Sequence, residues 1–128
     1  MHVTNIPDPT KWHYENELFD VHTEWKPLTI MARIGTVPTT ISRDALDGLL
    51  RTIIMETPQC DSPHPFTCRI WFREAIRLLA MNDGHEGVVH CRSVNALEKE
   101  LTELADEHAT LVALGRPWKL YENVESSY

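Results

Sequence analysis

The sequence predicts an α+β domain in which a short antiparallel sheet packs against three helices. One segment, residues 28–34, alternates apolar and other residues, and three later segments carry apolar residues at helical spacing. The length of 128 residues fits one folding unit. We therefore expect a single domain over residues 1–128, with residues 1–12 as an irregular arm and residues 116–128 as a C-terminal tail.

The predicted sheet is centred on residues 28–34. The residues that share one face of this strand are Leu28, Ile30, Ala32 and Ile34. Gly35 is expected to end the strand. Because one half-buried strand cannot stand alone, a partner must come from around residues 14–25 or from the C-terminal tail.

Three helices are predicted from apolar spacing and from residues that cap helix N-termini. They run from Ser42 to about Met55, from Cys68 to about Met81, and from near Ser93 to about Leu114. Gly48 in the first helix is interpreted as the mark of a close helix contact. The third helix has apolar positions that alternate by four and three, a spacing that favours packing along another helix. His108 lies on that stripe and is interpreted as a core histidine.

Charge and composition exclude some classes of partner. The formal net charge is −7, and a field of that sign opposes binding to a nucleic-acid backbone. Arg69, Arg73 and Arg77 lie at i, i+4 and i+8, which indicates one solvated helix face. The sequence contains no run near the roughly 20 apolar residues of a membrane span. We expect no nucleic-acid or membrane partner.

The N-terminal residues and the cysteines predict a cytoplasmic location. Residues 1–8 have neither the basic start nor the apolar stretch of a signal peptide. The cysteines are odd in number, at Cys60, Cys68 and Cys91, which favours reduced thiols over a disulfide framework.

The candidate site is the start of the second helix. Thr67 is a good N-cap, with Phe66 and Trp71 in the positions of a hydrophobic staple. Cys68 then opens the helix, where free backbone N–H groups favour a thiolate. The alternative interpretation is that Cys68 is a small buried residue on the inner stripe of the helix.

Thiol chemistry also needs a base and groups that hold the substrate. His22, in a predicted short strand near residues 17–22, and His13 are the candidate bases for Cys68. The candidate substrate-binding residues are Phe66, Arg69, Trp71 and Arg33. We therefore predict a pocket at the start of the second helix for a small organic substrate.

Metal binding is the weaker hypothesis for the loop before this helix. Cys60, His64 and Cys68 have C-x3-H-x3-C spacing, with His85, His90 and Cys91 as later ligand types. Structural zinc sites usually show tighter pairs such as C-x2-C. We therefore predict no metal site and no cofactor.

Two motifs resemble segments of short, uncharacterised fungal proteins. These motifs are the strand Met31-Ala32-Arg33-Ile34-Gly35-Thr36-Val37 and the helix start Cys68-Arg69-Ile70-Trp71-Phe72. The fungal proteins pair an ARI-x-x-G-x-V-type strand with a C-R-x-W helix start, and Trp12-x-Tyr14-Glu15 is similar to their upstream segment. The likeness covers roughly residues 2–110. More distantly, the order resembles permuted papain-like domains, the LRAT and NlpC relatives.

The resemblance implies two kinds of enzyme. The papain-like likeness implies acyl transfer or hydrolysis of an amide or thioester, with Cys68 as nucleophile. The fungal likeness implies natural-product biosynthesis by a cyclase or isomerase without a covalent step. A non-catalytic ligand-binding or homodimerising module remains the alternative, favoured by the acidic, heptad-like third helix.

Overall fold

The computed structural model describes residues 1–17, 28–80 and 88–127. It contains three α-helices and a short antiparallel two-stranded sheet, so the predicted α+β class is confirmed. The strands are β1 (His2–Thr4), β2 (His13–Glu15), β3 (Ile30–Ala32) and β4 (Lys119–Tyr121). The α-helices are α1 (Arg43–Arg51), α2 (Cys68–Ala80) and α3 (Val94–Ala113), and two 3-10 helices span Gln59–Asp61 and Glu125–Ser127.

The chain forms two compact units. Unit 1 consists of Met1–Leu18 and Pro38–Leu78, and unit 2 consists of Phe19–Val37 and Leu79–Tyr128. Unit 1 contains β1, β2, α1 and most of α2, whereas unit 2 contains β3, α3 and β4. The expectation that residues 1–128 form one domain stays a prediction.

The antiparallel sheet lies in unit 1, at the N-terminus. β1 pairs with β2, and Val3 stands opposite Tyr14. Val3 is buried while His2 is exposed, so the pairing places one apolar side chain inside. Residues 1–12 are therefore wrongly predicted to be irregular throughout. A three-residue strand with one buried side chain has too little alternation to be detected.

The predicted strand at residues 28–34 is present as β3, and its partner comes from the C-terminal tail, one of the two predicted sources, but the pair is parallel and not antiparallel. β3 pairs in parallel with β4 of the C-terminal tail, with Met31 opposite Leu120. Met31 is exposed between half-buried Ile30 and Ala32, which agrees with the predicted faces. The alternation determines the faces of a strand but not the direction of its partner, and the long connection through α1, α2 and α3 permits a parallel pair.

The helices begin where their caps predict, but α1 is shorter than expected. Ser42 Oγ accepts a hydrogen bond from Ala45 N–H, and Ser93 Oγ accepts one from Ala96 N–H. α1 ends at Arg51 because the backbone tightens there, with Thr52 N–H donating to Leu49 three residues back. A Cβ built at Gly48 meets no atom within 4 Å, so the interpretation of Gly48 as a close helix contact is wrong.

The buried side chains of unit 2 lie along α3 and the tail. Leu97 and Val124 are fully buried, and Val89 joins them in the core. A bridge pairs Gly35 with Val89, and a Cβ built at Gly35 would lie 2.0 Å from the carbonyl oxygen of Val88. Only glycine permits this approach of two backbones.

Candidate functional site

Cys68 is the first residue of α2, as the sequence predicts. The carbonyl oxygen of Thr67 accepts a hydrogen bond from Trp71 N–H at 3.0 Å, which places Thr67 at the N-cap position. The Cys68 side chain is exposed, so its interpretation as a buried core residue is wrong. Ala75 lies two turns further along the same face and is buried. The exposure of Cys68 therefore follows from its position at the helix end.

Aromatic contacts hold the start of α2. The rings of Trp12 and Phe66 meet edge to face, with centroids 5.8 Å apart. Tyr14 of β2 meets Trp71 at 5.9 Å. Such pairs contribute roughly 0.5–1.5 kcal/mol each beyond the area they bury. The start of α2 is therefore held against β2 and against Trp12, which lies just before β2.

The indole N–H of Trp71 is an unused donor. Trp71 is 8% exposed, and its Nε1 has no hydrogen-bond partner among the residues that the structure describes. A buried donor without an acceptor costs roughly 1–3 kcal/mol. An acceptor that reached Nε1 would recover part of that free energy.

Of the two candidate bases, His13 lies within the described residues and His22 lies outside them. His13 is on β2, exposed, and its Nε2 donates to Glu15 Oε1 at 2.9 Å. Glu15 also lies 3.1 Å from Nε2 of His2. Within residues 1–17, 28–80 and 88–127, no histidine is hydrogen-bonded to the Cys68 sulfur. The assignment of a base to Cys68 stays a prediction.

The predicted substrate-binding residues fall in both units. Phe66 is half-buried, Trp71 is buried and Arg69 is exposed, all at the start of α2. Arg33 belongs to unit 2, where its Nη2 donates to Thr36 Oγ1 at 3.2 Å and its Nη1 lies 3.7 Å from Glu122. Three of the four residues therefore lie within three positions of Cys68 in the sequence, and Arg33 belongs to the other unit.

One buried electrostatic cluster of unit 1 is not among the sequence predictions. Asp61 has a side chain that is 2% exposed, and it accepts hydrogen bonds from Arg73 and Arg77 at 2.6 Å each. Arg77 also pairs with Glu74. The prediction that Arg73 and Arg77 belong to a solvated helix face is therefore wrong. Their i, i+4 spacing was the available signal, because it aims two guanidinium groups at one point.

The two arginines set the protonation of Asp61. The hydrogen bond from Arg77, followed by that from Arg73, lowers the pKa of Asp61 to about 2, and burial opposes this shift. The same contact raises the pKa of Arg77. The cluster is thus a carboxylate held by two cations, which ties the loop before α2 to the middle of that helix.

A three-residue group with metal-ligand atoms overlaps this cluster. Atoms of Cys60, Asp61 and Glu74 lie within 4.8 Å of one another. Both carboxylates are already bound by guanidinium groups, whose positive charge opposes a metal cation. His64 and Cys68 of the C-x3-H-x3-C pattern are not members of this group. The geometry is that of an ion-pair network.

A second polar cluster in unit 1 surrounds Asp47 of α1. Its carboxylate accepts hydrogen bonds from Tyr14 Oη at 2.8 Å, from Asn16 at 2.7 Å and from Arg51 at 2.8 Å. Burial and the Asp47 carboxylate raise the pKa of Tyr14 to about 12. Tyr14 therefore remains a neutral donor near pH 7 and links β2 to α1.

Comparison with family models, with curated proteins and with solved structures finds no match to this chain. The likeness to short fungal proteins and to papain-like domains stays a prediction. Among the described residues, no helix combines the length and apolar character required to cross a membrane.

Proposed function

We propose that the protein handles a small organic molecule at the start of α2, with the Cys68 thiol as the reacting group. The observation that carries this proposal is the exposure of Cys68 at the first residue of a 13-residue α-helix. The first N–H groups of a helix have no partner within it, and they favour negative charge nearby. An exposed thiol at this position is accessible to a substrate, and the free N–H groups of the helix start can stabilise negative charge that develops on that substrate.

The surrounding residues support an acyl substrate. The Cys68 thiolate attacks the carbonyl carbon of a thioester or amide, and a C–S bond forms as the carbonyl becomes an oxyanion. Backbone N–H groups of the first turn of α2 are the donors for this oxyanion. The oxyanion then collapses, the C–S bond of the thioester or the C–N bond of the amide breaks, and the leaving thiolate or amine takes up the proton released by Cys68. Water hydrolyses the acyl-enzyme, which releases the carboxylic acid and restores the Cys68 thiol. Phe66, half-buried before the helix, offers apolar contact to the substrate.

His13 is the candidate base within the described residues. Its hydrogen bond to Glu15 is the carboxylate–histidine pair that orients a general base. Hydrogen bonds between nucleophile and base often tighten only when substrate binds. His22 is the second candidate for this role.

The test is the rate of alkylation of each cysteine by iodoacetamide, followed by mass spectrometry of the peptides. Cys60 is the matched control because it is also exposed, but its sulfur lies 3.8 Å from the Asp61 carboxylate, where its S–H donates. We expect Cys68 to react at least tenfold faster than Cys60 at pH 7. His13→Gln should slow Cys68 alone. Equal rates for the two cysteines would contradict the thiol-dependent proposal.

A non-catalytic, homodimerising module is the second candidate. It is favoured by exposed leucines at the end of α3, where Leu111 is 45% exposed and Leu114 is 76% exposed. Burial of these side chains between two copies would remove apolar surface from water. Light scattering at micromolar concentrations tests this candidate. A mass of one chain, 14.8 kDa, at every concentration would contradict it.

A further inference from the structure

Unit 2 contains an open groove of about 500 Å³ between the end of α3 and β4. Its apolar lining includes Leu111, Trp118 and Leu120, and its basic lining consists of Arg116 and Lys119. The volume lies within the range of roughly 300–1,000 Å³ that is typical of small-ligand sites. Nothing in the proposal for Cys68 uses this groove.

The C-terminal turn of α3 forms one wall of the groove. Gly115 has φ of 84°, a conformation that favours glycine. Gly115 N–H donates a hydrogen bond to the carbonyl oxygen of Val112, and Arg116 N–H donates one to the carbonyl oxygen of Leu111, both at 2.9 Å. These two bonds form a Schellman motif. The motif fixes the backbone of Arg116 against the last turn of α3.

A buried histidine fixes the opposite wall. His108 is 9% exposed, and its Nε2 donates to the carbonyl oxygen of Pro117 at 2.9 Å. The prediction that His108 is a satisfied core histidine is confirmed. Because this hydrogen bond ties Pro117 to α3, it also fixes where the next three residues of the groove lining, Trp118 to Leu120, begin. Hydrogen bonds within the protein therefore fix the backbone on both sides of the groove.

The groove is a basic patch on an acidic protein. Arg116 and Lys119 are exposed, and no carboxylate is among the lining residues. Within residues 1–17, 28–80 and 88–127, the guanidinium of Arg116 forms no ion pair. The Lys119 ammonium lies 4.3 Å from the centre of the Tyr121 ring, a contact that leaves its N–H groups able to donate.

The C-terminus of α3 repels an anion. Whether the groove attracts an anion therefore depends on how the charge of the helix end compares with the charges of the two basic side chains. The helix macrodipole is equivalent to roughly −0.5 charge at its C-terminus. Two full positive charges on Arg116 and Lys119 outweigh that partial charge. Carboxylate recognition by Arg, with Lys beside it, is a common arrangement at apolar sites.

We propose that this groove binds a small organic acid, in which a carboxylate contacts Arg116 and Lys119 and an apolar body lies on Leu111, Trp118 and Leu120. The two cations attract a small carboxylate, whereas the repulsion between two chains that each have a net charge of −7 opposes a second copy of the chain as the occupant. Cys68 is not among the residues that line this groove. The proposed binding also differs in chemistry from the proposal for Cys68, because it involves no covalent step.

The test uses decanoate as probe, with decanol as the neutral ligand of equal chain length, and isothermal titration calorimetry below the micellar concentration. We expect decanoate to bind at least tenfold more tightly than decanol. Arg116→Gln and Lys119→Gln should each weaken decanoate binding about tenfold, the value for one charge-assisted hydrogen bond, without weakening decanol binding.

Lys99→Gln is the matched control. Lys99 is an exposed cation on α3, and it precedes Leu111 by about 18 Å along the helix axis. Its substitution should leave decanoate binding unchanged, and so should Cys68→Ser. Equal affinity for decanoate and decanol would overturn the proposal. Unchanged decanoate binding in Arg116→Gln/Lys119→Gln, or a dimer whose formation excludes decanoate, would overturn it as well.

Discussion

The anchor of the loop before α2 in unit 1 and the anchor of the C-terminal residues in unit 2 are different kinds of polar contact. In unit 1, the buried Asp61 carboxylate binds two arginine side chains of α2. In unit 2, the Glu100 carboxylate accepts hydrogen bonds from the backbone N–H groups of Glu125 and Ser126, both at 2.8 Å. His108 likewise binds a backbone carbonyl. The Asp61 anchor of unit 1 thus joins side chain to side chain, whereas the Glu100 and His108 anchors of unit 2 join side chain to backbone.

The difference has consequences for stability. Removing Asp61 takes away the buried carboxylate that two guanidinium groups share, whose side chains are 19% and 29% exposed, although Arg77 keeps its contact with Glu74. Removing the charge of Glu100 leaves backbone N–H groups at the end of the chain, where water can replace the lost acceptor. We therefore expect unit 1 to be the more sensitive of the two to loss of its anchor.

Asp61→Ala should produce the largest effect. We expect the free energy of unfolding to fall by about 3 kcal/mol, because both arginines lose a partner in a partly dehydrated site. Urea denaturation measures the loss, and hydrogen exchange of α2 locates it in unit 1. Glu74→Ala is the control, since Arg77 keeps Asp61 in that variant, and a loss under about 1 kcal/mol is expected. Equal losses would contradict the central role of Asp61.

Acid should remove part of the same stabilisation. Because the folded pKa of Asp61, about 2, lies below its usual value of 3.8, the stabilisation is complete above pH 4. It is lost as the pH falls from about 4 to 2, and it amounts to about 2 kcal/mol. Urea denaturation at a series of pH values measures this slope. Asp61→Asn should have a shallower slope, and an unchanged slope would assign the acid sensitivity to other carboxylates.

Two glycine substitutions should have opposite signs in the two units. Gly35→Ala should destabilise unit 2 by about 2 kcal/mol, because the new Cβ would overlap the Val88 carbonyl oxygen. Gly48→Ala should stabilise unit 1 by about 1 kcal/mol, because the Cβ meets no atom and alanine favours the helix. Thermal unfolding of both variants tests the pair. Two shifts of the same sign would be inconsistent with these surroundings.

Glu100→Gln should have a smaller effect than Asp61→Ala or Gly35→Ala. We expect a loss of about 1 kcal/mol, because the amide offers one oxygen where the carboxylate offers two. Amide hydrogen exchange at Glu125 and Ser126 should become faster while exchange in α2 stays unchanged. Glu103→Gln, which alters an exposed pair with Lys99, should leave the tail unchanged. Equal exchange in both variants would show that Glu100 does not anchor the tail.

The position of Cys68 at a helix start could be predicted from the sequence, but the surroundings of its thiol could not. Thr67 and the apolar spacing of α2 placed Cys68 at a helix start, since capping depends on residues a few positions apart. Whether the thiol was buried depended on what covered the end of the helix. The pairing of Asp61 with Arg73 and Arg77 required a loop to fold back on the helix, which no local pattern records.

The sequence alone determined the α+β class, the cap residues Ser42 and Ser93, and the faces of the strand around β3. Each depends on interactions within about one helical turn or between alternate residues of a strand. Only the tertiary structure decided that β3 pairs in parallel with β4, that Asp61 is buried between two arginines, and that Arg116 and Lys119 border one groove. The first two features join residues distant in the chain, and the groove depends on the turn that carries the chain from α3 back to β4. Their free energy depends on positions that only the folded backbone defines.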